Sequence, residues 1–451
     1  MGFSKDFIWG AAASSYQVEG AAYADGKGLS VWDLFCREPG AVFEGHTGDV
    51  ACDHYRLFRE DVRLMASLGI KAYRFSVNWP RVLPQGTGAA NEKGLAFYDR
   101  LIDCLLENGI TPMMTLFHWE YPDALQDRGA WLNPDSPHWF AEYAALLAKR
   151  FGDRVKGFLT LNEPQCFIGL GYGLGIHAPG LKMPIRTLVR MSHQVMKAHG
   201  LAVSVLRDAV KDVRVGYAPC SAPACPVSED PRDIQAARDF YFSVSPDPGQ
   251  WSFSTSWWSD PVMLGRYPED GLRLFGQHLP QGFEKDLPIM HQKLDWYGQN
   301  IYQGLSVKAG ENGPEKEKNP EGIAKTAVEW PITPECLYWG PKFLYERYHT
   351  PILITENGMA GLDAVHLDGA VHDAIRIDYL HRYLLAYRRA AQEGIPLAGY
   401  FQWSFLDNFE WAKGYADRFG LVYVDYATQK RIPKDSAYWY GRTIADNGAN
   451  L

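Results

Sequence analysis

The chain has 451 residues, of which 46% are hydrophobic and 22% charged, with a formal net charge of −8. This is the composition of a globular protein with a large core. The acidic balance and the lack of any sustained basic run exclude nucleic acid and an anionic membrane surface as partners. No run of about 18 apolar residues offers a transmembrane helix.

Segments Phe7–Ala13, Ala72–Val77, Met113–His118 and Gly157–Glu163 read as strands, followed by Val213–Ala218, Leu294–Tyr302, Pro351–Glu356 and Leu397–Ser404. Each is a short apolar run of the kind buried on both faces of a parallel sheet. The N-terminal stretch Gly2 to Asp6 has no signal-peptide core, and Asp6 breaks the myristoylation pattern, so Ala11-Ala12-Ala13 reads as packed strand and not as a cleavage site. Between the first two strands, Leu57, Phe58, Val62, Met65 and Leu68 share a helix face, with Gly69 at the stop position. Leu95, Tyr98, Leu101, Ile102 and Leu105 repeat the pattern before Gly109. Ser136-Pro137 reads as N-cap and first residue of a helix ending near Gly152. Further helices are expected over Pro184–Lys211, Pro334–His349 and Ala374–Glu393.

Two loops stand out. Ser243–Asp260 holds Trp251, Trp257 and Trp258 and is expected to form a rim. Gly310–Lys325, rich in Glu, Lys, Pro, Gly and Asn, is expected to be a mobile insertion. Eightfold strand–helix alternation predicts an α/β fold, a single (β/α)8 TIM barrel with long βα loops at its mouth. Periodicity alone leaves a doubly wound sheet open. No linker or repeat divides the chain, so residues 1–451 are expected to form one domain.

Seven cysteines, an odd number without a C-x-x-C pair, are expected to be buried reduced thiols in a cytoplasmic compartment. Cys220 and Cys225 are the nearest pair in sequence, and nothing beside them completes a metal site. No Rossmann or P-loop fingerprint is present, so neither cofactor nor metal is expected. Aromatic residues make up 14% of the chain. They serve a large core, or a site lined with flat surfaces of the kind sugar rings need.

Position carries the functional information. Pro351-Ile352-Leu353-Ile354-Thr355-Glu356-Asn357-Gly358 runs an apolar strand straight into a carboxylate, and Gly157-Phe158-Leu159-Thr160-Leu161-Asn162-Glu163-Pro164 has the same grammar. A buried carboxylate without partners costs several kcal/mol, so both need a reason. Gln17, Arg74, His118-Trp119, Asn162, Asn300, Tyr302 and the Trp403 to Glu410-Trp411 stretch also lie at or near strand ends. In a (β/α)8 barrel those ends converge on one mouth, where active sites are built.

The segments Thr160 to Pro164 and Ile354 to Gly358 resemble the two signature segments of glycoside hydrolase family 1, the β-glucosidases. Phe7 to Gly10 with Ser15 to Gly20, Tyr73 to Ser76 with Trp79 to Arg81, Phe117 to Trp119, and Trp403 to Trp411 extend the resemblance over the whole chain in order. It implies a retaining exo-β-glycosidase that takes a small-molecule β-glycoside, most simply a β-glucosidase of short oligosaccharides and aryl or alkyl glucosides. Glu163 would be the acid/base and Glu356 the nucleophile. Arg74 and Tyr302 would hold Glu356 ionised, and Asn300 would shape the surroundings of Glu163. Gln17, His118, Trp119, Asn162, Glu410 and Trp411 would bind the sugar, over a floor of Trp403. Trp330 would border the aglycone. A carboxylate at Glu410 would repel the phosphate that phospho-glycosidases hold there, and Glu163 replaces the Gln of myrosinase-like members. Gln299 and Ile301 depart from the usual pattern, which could shift substrate preference. A broad β-glucosidase/β-galactosidase/β-fucosidase, a transglycosylase and a non-catalytic sugar-binding barrel remain the alternatives. Oligomeric state is not legible.

Overall fold

The computed structural model describes residues 2–451. The eight expected strands form one closed, all-parallel barrel: β1 (Ile8–Ala12), β2 (Ala72–Ser76), β3 (Thr111–Phe117), β4 (Gly157–Asn162), β5 (Arg214–Ala218), β6 (Trp296–Asn300), β7 (Ile352–Asn357) and β8 (Leu397–Trp403). Each strand pairs with its sequence neighbours, and β8 closes on β1 through Ile8↔Gly399 to Ala12↔Trp403. The barrel settles the alternative left open by periodicity, because a doubly wound sheet has two free edges and this one has none.

Strand alternation divides the buried apolar residues in two. Ala12, Ala72, Met113, Leu159, Trp296, Leu353 and Phe401 fill the barrel interior. Tyr73, Met114, Phe158, Val215, Tyr297, Ile354 and Tyr400 face outward into the larger layer between strands and helices. That outer layer is covered by α1 (His54–Ser67), α2 (Glu92–Glu107), α3 (Ser136–Phe151), α4 (Ile185–Ala209), α5 (Pro231–Phe242), α6 (Cys336–Tyr348), α7 (Ala374–Gln392) and α8 (Asp435–Ala445). All five residues assigned to the apolar face of α2 are buried. Gly69 and Gly109 end the first two helices in the left-handed region, at φ +81° and +71°.

Three local expectations are corrected. Asp135 is the N-cap of α3, and Ser136-Pro137 are its first two residues. The Asp135 N–H donates to Asn133 Oδ1 at 2.8 Å, a local turn that starts the helix one residue early. Trp251, Trp257 and Trp258 form no rim, since all three are fully buried and pack on one another. The indoles of Trp257 and Trp258 donate to Ser192 Oγ and Ser252 O, which allows deep burial. The Gly310–Lys325 stretch is partly ordered as strand. Residues Leu305–Gly310 and Gly313–Lys316 form an antiparallel hairpin whose first strand pairs with Ala224–Pro226.

Candidate active site

Two irregularities aim the two carboxylates. In β7, Leu353 points into the barrel and Ile354 out of it, so strict alternation would send Glu356 outward. The pairing of β7 slips between Ile354 and Glu356 against β6, and between Ile354 and Asn357 against β8. β4 slips in the same way between Leu159 and Asn162. Such bulges re-aim side chains, and here they turn both strand ends toward the barrel mouth. Glu163 follows in the left-handed region at φ 45°, with its N–H bonded to Ala218 O at 2.8 Å.

Glu356 is 3% exposed and held on both oxygens. Oε1 accepts from Arg74 Nη1 at 2.6 Å, and Oε2 accepts from the Tyr302 hydroxyl at 2.7 Å. The buried Arg74 is itself fixed: Nε donates to Thr115 Oγ1 at 3.1 Å, Nη1 also to Thr355 O, and Nη2 to Asn162 Oδ1 at 2.5 Å. Burial raises the Tyr302 pKa well above its usual value, and the Glu356 charge adds to this, so the phenol remains a donor.

Glu163 is 7% exposed and has no cationic contact. Its Oε1 accepts from Asn300 Nδ2 at 2.7 Å, and its Oε2 from Cys166 Sγ at 3.1 Å. Asn300 is aimed by Thr355, whose hydroxyl donates to Asn300 Oδ1 at 2.6 Å. Burial, and then the charge of Glu356, push the Glu163 carboxyl up to about 7, against the hydrogen bonds from Asn300 and Cys166. Burial raises Glu356 as well, but Arg74, Tyr302 and Asn300 all oppose it. Glu356 therefore ionises first, and its charge keeps the proton on Glu163. Asn162 Oδ1 accepts from both Arg74 Nη2 and Asn300 Nδ2, so one hydrogen-bonded chain joins the group that holds Glu356 to the group that holds Glu163.

Around this pair stand the residues expected to bind sugar. Gln17 Nε2 donates to Asn408 Oδ1, Phe409 O and, at 3.4 Å, Glu410 Oε2, while its Oε1 accepts from Ser14 Oγ. Glu410 has no cation to neutralise it. Burial raises its pKa strongly, helped by the charges of Asp417, Glu356 and Glu163. Asn162 Nδ2 meets His118 Nε2 at 3.0 Å. Burial and the nearby Arg74 charge keep His118 neutral. The His118 ring stacks between Trp403 and Trp411, with centroids 5.7 and 5.9 Å away. Trp330 packs on Tyr302 at 5.2 Å, beside Phe419.

Three expected residues occupy different surroundings from those the sequence implied. The Trp119 indole N–H donates to Asn162 O at 2.9 Å and its ring stacks on Trp411, so it supports the site and has no donor left for a hydroxyl. Gln299 lies behind β6, accepting from Ser221 Oγ at 2.6 Å, and Ile301 is buried in the outer apolar layer. Neither departure from the family pattern lines the barrel interior.

Sequence reasoning missed Thr115, Thr355, Cys166 and Phe419. The two threonines had a signal: each is a hydroxyl set among apolar residues of a strand, at a position that points inward. Cys220 pairs with Cys166 at 3.8 Å and not with Cys225, whose thiol donates to Pro223 O. Together with Glu163 these two thiols form a cluster of possible ligand atoms, so Cys220 does have metal-ligating neighbours. All seven cysteines are free thiols.

The sequence model described as glycosyl hydrolase family 1 matches residues 1–449. A β-glucosidase A of Thermotoga maritima is 47% identical over 99% of this chain and 98% of its own length. A 1,4-β-D-glucan glucohydrolase of Thermotoga neapolitana is 46% identical, covering 99% of each chain. The solved structure of a β-glucosidase from Thermotoga maritima in complex with glucoimidazole superposes with a TM-score of 0.91 at 46% identity, again over 99% of each chain.

Proposed function

The chain belongs to glycosyl hydrolase family 1, and from that premise we propose that it is a retaining exo-β-glycosidase, a β-glucosidase that removes non-reducing terminal β-D-glucosyl residues from short oligosaccharides and aryl or alkyl glucosides. The observation that carries this reading is the unequal treatment of two facing carboxyls. Glu356 has a guanidinium and a phenol on its oxygens, and Glu163 has an amide and a thiol.

The chemistry follows from that inequality. Protonated Glu163 gives its proton to the glycosidic oxygen as the C1–O bond breaks, and ionised Glu356 attacks C1 to form a covalent glycosyl ester. The aglycone leaves as an alcohol. Glu163, now ionised, takes a proton from water, the resulting hydroxide equivalent attacks C1, and Glu356 is released with its charge restored. Tyr302 and Arg74 hold Glu356 in line for both displacements. Glu410, without a cation, is suited to accept from sugar hydroxyls, and Gln17 and Asn162 present polar groups beside it. Trp403 and Trp411 offer flat apolar faces for the ring, and Trp330 borders the outer, aglycone side.

No step needs a cofactor. The seven free thiols support a reducing, cytoplasmic setting. No described helix is long and apolar enough to cross a membrane. The continuous barrel supports residues 1–451 as a single domain.

A rate panel of nitrophenyl β-glycosides, run beside cellobiose and lactose, tests the assignment. Glucosides should be hydrolysed with the highest kcat/KM. Preference for galactosides or fucosides would reassign the glycone, and no turnover of any would leave a sugar-binding barrel. Alkyl glycosides formed in added alcohol would point to glycosyl transfer.

A further inference from the structure

Cys166 and Cys220 come from different elements yet meet beside the catalytic acid. Cys166 lies one helical turn after Glu163, which brings its thiol onto the carboxyl at 3.1 Å. Cys220 follows β5 and is clamped to the same turn by Gln165, whose Nε2 donates to Cys220 O at 2.9 Å and whose Oε1 accepts from the Cys220 N–H. The two sulfurs are 3.8 Å apart. Two thiolates about 2.3 Å from one tetrahedral ion stand at about this separation. One oxygen from Glu163 and both sulfurs lie within 4.8 Å of one another. Asn300, bonded to the other Glu163 oxygen, holds the carboxyl in place as an outer partner does at metal sites. Cys220 is half-buried, whereas Cys166 and Glu163 are buried.

We propose that Glu163, Cys166 and Cys220 form a binding site for a thiophilic divalent ion, Zn2+ in the first instance, and that the bound ion inhibits hydrolysis. Two sulfurs and one carboxylate select Zn2+ over the hard ions Mg2+ and Ca2+, which prefer all-oxygen shells. Coordination releases the two thiol protons to solvent. It also occupies the Glu163 oxygen that must carry a proton to the leaving group. Inhibition rests on the catalytic reading of Glu163, whereas binding does not.

The test uses the intact enzyme and its Cys220→Ser variant, which keeps the size of the side chain and removes one sulfur. Without substrate, one equivalent of Co2+ should give wild type a thiolate-to-metal absorption band in the near ultraviolet, and Cys220→Ser should lose most of it. Zn2+ should inhibit wild type reversibly, with chelator restoring activity and Mg2+ having no effect. Cys220→Ser should need roughly tenfold more Zn2+ or higher. No band in wild type, or equal bands and equal Zn2+ sensitivity in both proteins, would overturn the site. If the serine variant fails to fold, Cys220→Ala and the wild-type band decide. A band without inhibition would retain the ion site and contradict the role of Glu163 in turnover.

Discussion

Glu356 lies 2.6 Å from a guanidinium, while the nearest polar partners of Glu163 are an amide and a thiol. Removing the nucleophile in Glu356→Ala should lower kcat by about 10⁴-fold or more, and near-normal steady-state turnover would sink its assignment. Glu163→Ala should cost about 10²–10⁴-fold with a poor leaving group such as the sugar of cellobiose. It should cost far less in the first displacement with a dinitrophenol, which needs no proton. Equal losses for both substrates would argue against the acid. The pH profile has a definite sign. Glu163 must be protonated in the free enzyme, so kcat/KM should fall as pH rises through about 7. Deprotonated Glu356 sets the acidic limb. In Glu163→Gln, assayed with a dinitrophenyl glucoside, the basic limb should disappear. A limb that persists there belongs to another group.

The strand ends do more than carry the site residues, because the slips in β4 and β7 decide which way those residues point. The eight strands were legible from apolar runs, and the polar residues at their ends were legible from position. The slips were not. A period-2 reading places Leu353, Thr355 and Asn357 on one face, and nothing in Ile354-Thr355-Glu356 announces that Glu356 turns inward as well. Buried Trp257 and Trp258 of Ser243–Asp260 were misread for a related reason, since a loop-rich segment hides indoles whose N–H groups find oxygens only after folding. Cys166 and Cys220 were unreadable as a pair because 54 positions separate them. Thr355 tests the geometry of β7. Thr355→Val preserves shape and removes the bond that aims Asn300 at Glu163. It should lower kcat roughly tenfold with little change in KM or melting temperature. A large loss of stability with unchanged kcat would make Thr355 merely structural.

At the scale of the whole molecule, one closed sheet links every element of the site, from Gln17 after β1 to Glu410 after β8. The interior plug includes Trp296, buried at the N-terminal start of β6 with Arg214 over its ring at 4.5 Å. Trp296→Ala should cost about 3–5 kcal/mol in urea unfolding, with denaturation and activity lost together. A single domain over the chain should also give one calorimetric transition, and two separable transitions would contradict it. The central claim is that the two carboxyls act by successive displacements at one carbon. Proton NMR of the sugar released early in the hydrolysis of a β-glucoside reads that directly. Two inversions predict the β-anomer first, followed by slow mutarotation to the α form; the α-anomer first would mean that water, not Glu356, attacks C1.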